Sequence, residues 1–135
     1  MFRIGIIGAG WIAEKMCDAI APFTDIEIYA IASRTTEKAE AFAAEHNIGK
    51  AYGSYEEMVC DPDIDLVYIA TPHSHHYDHA MLALEHGKPV LVEKAFTANA
   101  RQAKELIETA RSKGLFITEA IWTRYMPLSH KVREI

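Results

Sequence analysis

Four of the chain's seven histidines lie within seven positions, at His73, His75, His76 and His79. Imidazole is the side chain that most often binds metal ions, and residues four apart share one face of a helix. The stretch therefore predicts either a metal site or the wall of a pocket for another ligand. Which of the two holds depends on where the fold places these residues.

A glycine-rich segment, GAGWIA, follows the first apolar run of the chain, and Gly8, Gly10 and Ala13 fit the pattern G-x-G-x-x-G/A. The pattern gains weight from its flanks, which read as a strand before it, a helix after it and a second strand beyond. In such a unit the first glycine makes a tight turn and the second lets the backbone approach a pyrophosphate. We predict a dinucleotide-binding loop that includes Trp11 and Ile12; the alternative is an ordinary strand–helix turn.

The second apolar run ends in ASRTTEK, which bears on the choice of dinucleotide. An NAD site usually has Asp or Glu at this point to bind the ribose diol. Here Ser33 and Arg34 stand there, and the first carboxylate is that of Glu37. Arg34 and Ser33 can bind a 2′-phosphate, with Lys38 one helical turn further on, so the segment favours NADP(H) over NAD(H). The alternatives are that Arg34 stacks on adenine or is a solvated surface charge.

Strand and helix patterns alternate along the chain and must position these residues. Apolar runs predict strands at 2–7, 26–33, 50–53, 66–71, 89–94 and 115–120. Helical patterns lie between them, at 11–21, 36–48, from Ser54, at 74–87 with Ser74 as N-cap, and at 99–114 with Asn99 as N-cap. This alternation predicts an α/β fold with a doubly wound parallel sheet, the Rossmann NAD(P)-binding fold. Its ligands bind where the strands end and the winding reverses.

Composition excludes several classes of protein. A net charge of −5, from 14 basic and 19 acidic residues, argues against nucleic acid or an anionic membrane as a partner. No apolar stretch approaches the roughly 18–20 residues of a membrane span, and the N-terminus does not resemble a signal peptide. Cys17 and Cys60 lack a CxxC pattern. We interpret them as reduced core thiols of a cytoplasmic protein.

Four segments in this order, GIIGAGWIA, ATPHSHH, ALEHGKPVLVEKAF and FITEAIWTRYMP, resemble the Gfo/Idh/MocA family of nicotinamide-dependent oxidoreductases. The last is most similar to the dimeric dihydrodiol dehydrogenase branch. The resemblance spans essentially the whole chain and implies a dinucleotide-binding domain at 1–120. Residues 121–135 would then begin the connection into a C-terminal α/β substrate domain that this chain lacks. Because that domain often forms the subunit interface, the full-length protein is expected to be a homo-oligomer.

The same resemblance implies roles near the nicotinamide. Lys94 of VEKA matches the lysine of the family's E-K-P motif, which binds the reacting oxygen, and Glu93 matches the glutamate near the nicotinamide ribose. Ala95 stands where the family usually has proline. Trp122 and Arg124 match a W-T-R segment that faces the substrate and the nicotinamide. Alternatively, the tryptophan packs on the missing domain and the arginine pairs with a surface acid.

The histidine segment divides under this resemblance. Thr71 and Pro72 match a T-P turn beside the nicotinamide, His73 lies where the family often has asparagine, and His76 matches a following histidine. These four residues are expected at the cofactor. The two remaining histidines are expected on a solvated or partly packed helix face, and no metal is expected: His75 and His79.

Together these observations predict an NADP-dependent oxidoreductase that moves a hydride between the nicotinamide and a carbinol or carbonyl carbon. Its small-molecule substrate is, by resemblance, a sugar, polyol or cyclic diol. The second acid/base group would come from the missing domain, so these 135 residues are expected to bind cofactor with little or no turnover. The alternatives are a non-catalytic NADP-binding module or redox sensor, a metal-dependent hydrolase built on the histidines, and a methyltransferase.

Overall fold

The computed structural model describes residues 1–135 and consists of one six-stranded sheet, six α-helices and two short 3-10 helices. The strands are β1 (Phe2–Ile7), β2 (Ile26–Ala32), β3 (Lys50–Tyr52), β4 (Leu66–Ile69), β5 (Val90–Val92) and β6 (Ile117–Glu119). The helices are α1 (Trp11–Ile20), α2 (Thr36–His46), α3 (Tyr55–Val59), α4 (His76–Glu85), α5 (Ala100–Lys113) and α6 (Pro127–Arg133). The 3-10 helices span His73–His75 and Trp122–Tyr125.

All neighbouring strands are parallel, in the order β3-β2-β1-β4-β5-β6. The chain winds outward from β1 to β3, crosses back to β4 beside β1, and winds outward again to β6. The predicted doubly wound sheet is confirmed. The reversal lies between β1 and β4, so a crevice opens above the ends of these two strands.

Two apolar layers cover the sheet, one on each face. The larger joins the strands to α3, α4 and α5 through residues such as Met58, Leu84 and Leu106. The smaller joins them to α1 and α2 through residues such as Ala13 and Phe42. Strands buried on both faces are apolar along their whole length, which is why their sequences lack a polar–apolar alternation.

Local signals set most of the helix ends. Asn99 caps α5, its Oδ1 atom accepting from the Gln102 amide at 3.0 Å, and Ser54 caps α3. Asn47 ends α2 with φ 55°, the left-handed conformation that asparagine tolerates. The predicted cap at Ser74 is wrong. A 3-10 helix over His73–His75 comes first, and α4 begins only at His76.

The helices also bear on whether the chain could span a membrane. None of the six helices combines the length and apolar character needed to cross a bilayer.

Both cysteines are free thiols, as expected, but neither lies in the core: Cys17 is partly buried and Cys60 is exposed. Burial raises the pKa of Cys17 to about 11, so this thiol is a poor nucleophile at neutral pH.

Candidate functional site

A cleft of about 320 Å³ lies where the chain leaves β1, β2 and β4, and we call it the glycine-loop cleft. It brings together seven residues that the sequence predicted for the cofactor: Gly8, Gly10, Ser33, Arg34, Lys38, Thr71 and Pro72. Five further residues line it: Ala9, Tyr55, Ala70, His75 and His79. The segments that follow β1, β2 and β4 converge here because parallel strands end at the same edge of the sheet.

The two motif glycines meet different constraints. Gly8 has φ 104°, and a Cβ atom there would lie 2.9 Å from Thr71 Cγ2 and 3.0 Å from the carbonyl of Ala70. Gly10 has φ −121°, and a Cβ atom there would meet nothing within 4 Å. Gly8 is therefore required by the fold of the turn, whereas Gly10 keeps a space open above the loop.

The N-terminus of α1 opens toward this space. Gly10 is its N-cap residue and has no side chain to accept from the first amides. The amides of Trp11 and Ile12, in the first turn, have no acceptor within the helix. Their unpaired N–H groups and the helix dipole favour an anion at this end of α1. The third motif position, Ala13, is fully buried against the sheet, as its role in close packing requires.

Beyond the end of β2 the cleft wall is basic. Ser33 is buried, Arg34 and Lys38 are exposed, and no carboxylate lines the cleft. Tyr55 completes this wall, and burial raises the pKa of its hydroxyl, with the nearby Arg34 acting in the opposite direction. The neutral phenol leaves the positive charge of Arg34 available for an anion.

His75 is exposed and His79 is partly buried, as expected for a solvated or partly packed face, and both also line the cleft. Their rings stack with centroids 5.5 Å apart, and Tyr55 packs edge-on against His79 at 4.7 Å. The Nδ1 atom of His79 lies 2.9 Å from the hydroxyl of Thr71. Burial and the neighbouring His75 lower the pKa of His79, which favours the neutral form of its ring. The i, i+4 spacing was the available signal for this pair.

His76, which the sequence predicted near the nicotinamide, is not among the residues that line this cleft. It is fully buried at the start of α4, and both ring nitrogens face backbone carbonyl oxygens, those of Ala95 at 2.7 Å and Thr71 at 2.8 Å. His73 is exposed, with its ring edge-on to His76 at 5.4 Å, and it too lies outside the cleft lining. The structure contains no group of three or more potential metal-binding side chains.

Lys94 follows β5 and is exposed, one strand away from the loop that borders the cleft. The preceding Glu93 is held on both carboxylate oxygens, by the hydroxyl of Tyr68 at 2.5 Å and by the Lys94 amide at 3.1 Å. Burial and this contact raise the pKa of Tyr68, so its hydroxyl stays protonated and donates to Glu93. The peptide bond between Lys94 and Ala95 is cis.

Four of the other predicted residues border a different feature, which we call the sheet-face groove. This groove of about 670 Å³ lies on the α1 side of β4, β5 and β6, and most of its lining is hydrophobic. Trp11, Ile12, Glu93 and Trp122 line it, together with residues such as Leu91 and Phe116. Arg124 is exposed and lines neither feature.

Comparison with known proteins shows which family the chain matches and which enzymes it is similar to. Residues 2–120 match the model of the Gfo/Idh/MocA oxidoreductase family with an NAD-binding Rossmann fold. The chain is 52% identical over 143 residues to the D-xylose 1-dehydrogenase (NADP(+)) of Hypocrea jecorina, covering 97% of this chain and 37% of that protein. It is 42% identical to the trans-1,2-dihydrobenzene-1,2-diol dehydrogenase of Mus musculus over 135 residues, covering 98% and 40%.

Among solved structures, the 3-ketoreductase KijD10 of Actinomadura kijaniata, in complex with TDP-benzene and NADP, superimposes with a TM-score of 0.91 at 31% identity. The match covers 98% of this chain and 42% of that one. The chain therefore spans about two fifths of the length of these relatives. The similarity extends over the cleft, over residues 94–96 after β5, which we call the Lys94 loop, and over the terminal residues from 121 onward.

Proposed function

Because the chain belongs to the Gfo/Idh/MocA oxidoreductase family, we propose that the complete protein transfers a hydride between NADP(H) and a carbinol or carbonyl carbon. The observation that carries this proposal is the glycine-loop cleft, in which an open helix N-terminus and a basic wall without carboxylates face one space. The names of the D-xylose and dihydrodiol dehydrogenases support a sugar, polyol or cyclic diol as substrate.

The residues present fit such a cofactor. A pyrophosphate accepts from the first-turn amides of α1, and the open space at Gly10 admits it. Arg34, Ser33 and Lys38 bind the 2′-phosphate of the adenosine ribose, where a carboxylate would repel it. The Tyr55–His79 wall adds aromatic surface to the same end of the cleft. NADP(H) is thereby favoured over NAD(H).

When bound, the nicotinamide supplies the redox chemistry by giving or accepting a hydride. The protein's contribution is position and charge. We assign Lys94 the role of binding the reacting oxygen: its ammonium group polarises a carbonyl that is being reduced and stabilises the charge that develops on oxygen. Glu93, held by Tyr68, fixes the backbone from which Lys94 projects. Thr71, Pro72 and His73 border the path between cleft and lysine, and Trp122 and Arg124 border the substrate.

A C-terminal substrate domain is part of this proposal. Residues 1–120 then form the dinucleotide-binding domain, and 121–135 begin the connection. Two observations support it: the relatives are about two and a half times as long as the matched region and the sheet-face groove is apolar and open. That domain would supply the second acid/base group and a subunit interface, which makes the complete protein a homo-oligomer. We place it in the cytoplasm, with neither nucleic acid nor membrane as partner.

The first test is the affinity of the 135-residue chain for the two reduced cofactors, measured by titration of nicotinamide fluorescence. We expect NADPH to bind at least about tenfold more tightly than NADH, since a charge-assisted hydrogen bond contributes about 1.5–3 kcal/mol. A clear preference for NADH would overturn the assignment of cofactor.

The second test separates the enzyme from a non-catalytic NADP-binding module. A longer protein, extended beyond Ile135 by the sequence that follows it in its gene, is screened with sugars and diols in the presence of NADP⁺. We expect substrate-dependent NADPH formation by the longer protein and little or none by the 135-residue chain. Binding of NADPH without turnover of any substrate by the longer protein would favour the binding module or redox sensor.

A further inference from the structure

His76 contacts two loops, one that follows β4 and one that follows the neighbouring strand β5. It is completely buried, and its ring lies between the carbonyl oxygen of Thr71, after β4, and that of Ala95, after β5. Thr71 lines the glycine-loop cleft, whereas Ala95 directly follows Lys94. The imidazole thus spans the distance between the proposed cofactor site and the proposed catalytic lysine.

The two contacts require two donors. A carbonyl oxygen only accepts hydrogen bonds, and a neutral imidazole has one N–H group. With a neutral ring, one of the two short contacts, 2.7 Å and 2.8 Å, would set a nitrogen lone pair against a carbonyl oxygen. The imidazolium form donates to both oxygens and satisfies both contacts.

His76 is one of three side chains that hold the backbone of the Lys94 loop. The Lys94 amide donates to Glu93, the Ala95 carbonyl accepts from His76, and the Phe96 amide donates to Glu119 at 2.7 Å. These three side chains belong to different segments of the fold. Of them, only His76 also binds the loop that borders the cleft.

Building on the proposed function, we propose that His76 is a positioning residue which, protonated on both ring nitrogens, ties the Lys94 loop to the loop after β4 that contains Thr71. The tie fixes the direction in which Lys94 projects relative to the nicotinamide end of the cleft. His76 touches neither substrate nor cofactor, and its effect on the reaction passes through Lys94.

The charged and titratable groups around His76 define the setting of this cation. His73 faces it from the 3-10 helix, and His79 lies one turn further along α4. Glu93 and Lys94 are the charged residues that directly follow β5, and the carboxylate of Glu119 accepts from the Phe96 amide. No carboxylate forms a salt bridge with His76. The ring's partners are therefore the two carbonyl dipoles, whose negative ends both point at it.

The first experiment needs no variant and does not depend on catalysis. The 135-residue chain, labelled with ¹⁵N in histidine, is studied by NMR at pH 7, with His76 assigned through its contacts to the Thr71 and Ala95 backbones. We expect N–H resonances on both ring nitrogens, protected from solvent exchange. The exposed His86 provides the reference for an unburied ring. A single N–H on His76 at pH 7 would overturn the proposal.

The second experiment measures the coupling to Lys94 in the longer protein, in which catalysis is assayed. His76→Gln supplies donors for only one of the two carbonyls, so we expect kcat to fall about tenfold or more. We expect the Kd for NADPH to change much less. In a Lys94→Ala background the same substitution should change kcat by less than about twofold, because the residue it positions is gone.

Matched controls complete the design. His86→Gln, on the exposed end of α4, should leave kcat unchanged in both backgrounds. An equal loss from His76→Gln with and without Lys94 would show a purely structural role and overturn the proposal. If Lys94→Ala itself leaves kcat unchanged, the proposed role of the lysine fails, whereas the NMR result on the ring of His76 stands separately.

Discussion

Arg34 is the side chain whose removal should separate the two nicotinamide cofactors most directly. It is exposed at the cleft and belongs to none of the salt bridges, so its guanidinium is free to bind a phosphate. We expect Arg34→Ala to weaken NADPH binding about tenfold to about a hundredfold, because charge-assisted hydrogen bonds are lost. NADH has no 2′-phosphate, and its affinity should change by less than about threefold.

Fluorescence titration of both cofactors checks this prediction. Arg111→Ala is the matched control, because Arg111 is an exposed arginine of α5 that does not line the cleft. It should leave both affinities unchanged. Equal weakening of NADPH and NADH by Arg34→Ala would indicate that the arginine stacks on adenine, which the two cofactors share.

Substitution of one motif glycine should mainly lower stability, whereas substitution of the other should mainly weaken cofactor binding. Gly8→Ala introduces a side chain at φ 104° and 2.9 Å from Thr71 Cγ2, so we expect it to lower the free energy of unfolding by roughly 1–3 kcal/mol. Gly10→Ala meets nothing within 4 Å and should change stability by less than about 0.5 kcal/mol. Its Cβ atom occupies the space for the pyrophosphate, so NADPH affinity should fall about tenfold.

Urea unfolding and NADPH titration of each variant provide the two readouts. Gly49→Ala serves as control, because a Cβ atom there also meets nothing within 4 Å and the residue is remote from the cleft lining. A Gly10→Ala protein that binds NADPH as tightly as the parent would contradict a pyrophosphate above this loop.

The histidines show why single residues were only partly predictable. The sequence placed Gly8, Arg34 and Thr71 at the cleft because each follows a strand, and strand ends are readable from apolar runs. The histidine faces depended on where α4 begins. A 3-10 helix turns by about 120° per residue instead of about 100°, so the segment over His73–His75 rotates the following residues. His76 then points inward, and His75 and His79 line the cleft.

At the scale of elements, Asp61 joins β3 to the turn that precedes β4. Its buried carboxylate accepts from Lys50 Nζ at 2.8 Å, the Tyr52 hydroxyl at 2.6 Å and the Asp63 amide at 2.9 Å. Burial alone would raise the pKa of Asp61, but these donors outweigh it and lower the pKa to about 2. The folded state therefore binds the proton more weakly than the unfolded chain.

This pKa gives a pH dependence of defined sign. The stabilisation by Asp61 is complete above the ordinary carboxyl pKa of 3.8 and is lost as pH falls from about 4 through about 2. Asp61→Asn should therefore lower the free energy of unfolding at pH 7, and its difference from the parent should shrink toward pH 2. Urea unfolding at several pH values measures this. Asp18→Asn, at an exposed pair with Lys15, is the control and should change the free energy of unfolding by less than about 0.5 kcal/mol. A loss of stability in Asp61→Asn that is the same at every pH would contradict the prediction.

The sequence predicted which strands and helices are present, but it did not predict how long the strands are. All six strands and the five helices predicted between them are present, because apolar runs and caps such as Asn99 are local signals. The last strands are shorter than their apolar runs: β5 spans Val90–Val92 and β6 spans Ile117–Glu119. Ladder pairing ends where the neighbouring strand ends, and this depends on contacts between residues far apart in the chain.

At the scale of the whole molecule, the two faces of the sheet are covered unequally. Helices α3, α4 and α5 cover one face, whereas α1 and α2 cover only part of the other. The groove along β4, β5 and β6 is left open, with Trp11 and Trp122 exposed at its border. Neither composition nor periodicity revealed this groove, because each of its strands reads as fully buried. The resemblance alone predicted a partner domain.

Two phenylalanines of nearly equal exposure test what covers this groove. Phe116 lines it and is 58% exposed, whereas Phe23 is 56% exposed and lies outside it. If the proposed C-terminal domain packs here, Phe116→Ser should destabilise the longer protein by about 1–3 kcal/mol more than Phe23→Ser, because the longer protein buries the ring of Phe116. In the 135-residue chain the two variants should be equally stable, since both rings are solvated.

Urea unfolding of both variants in both proteins measures the difference, and binding of an apolar dye gives a second readout. The 135-residue chain should bind the dye, and Phe116→Ser should reduce that binding where Phe23→Ser does not. The longer protein should bind little dye, because its own polypeptide covers the groove. Equal effects of the two substitutions in the longer protein would show that the groove stays open and that the additional domain packs elsewhere.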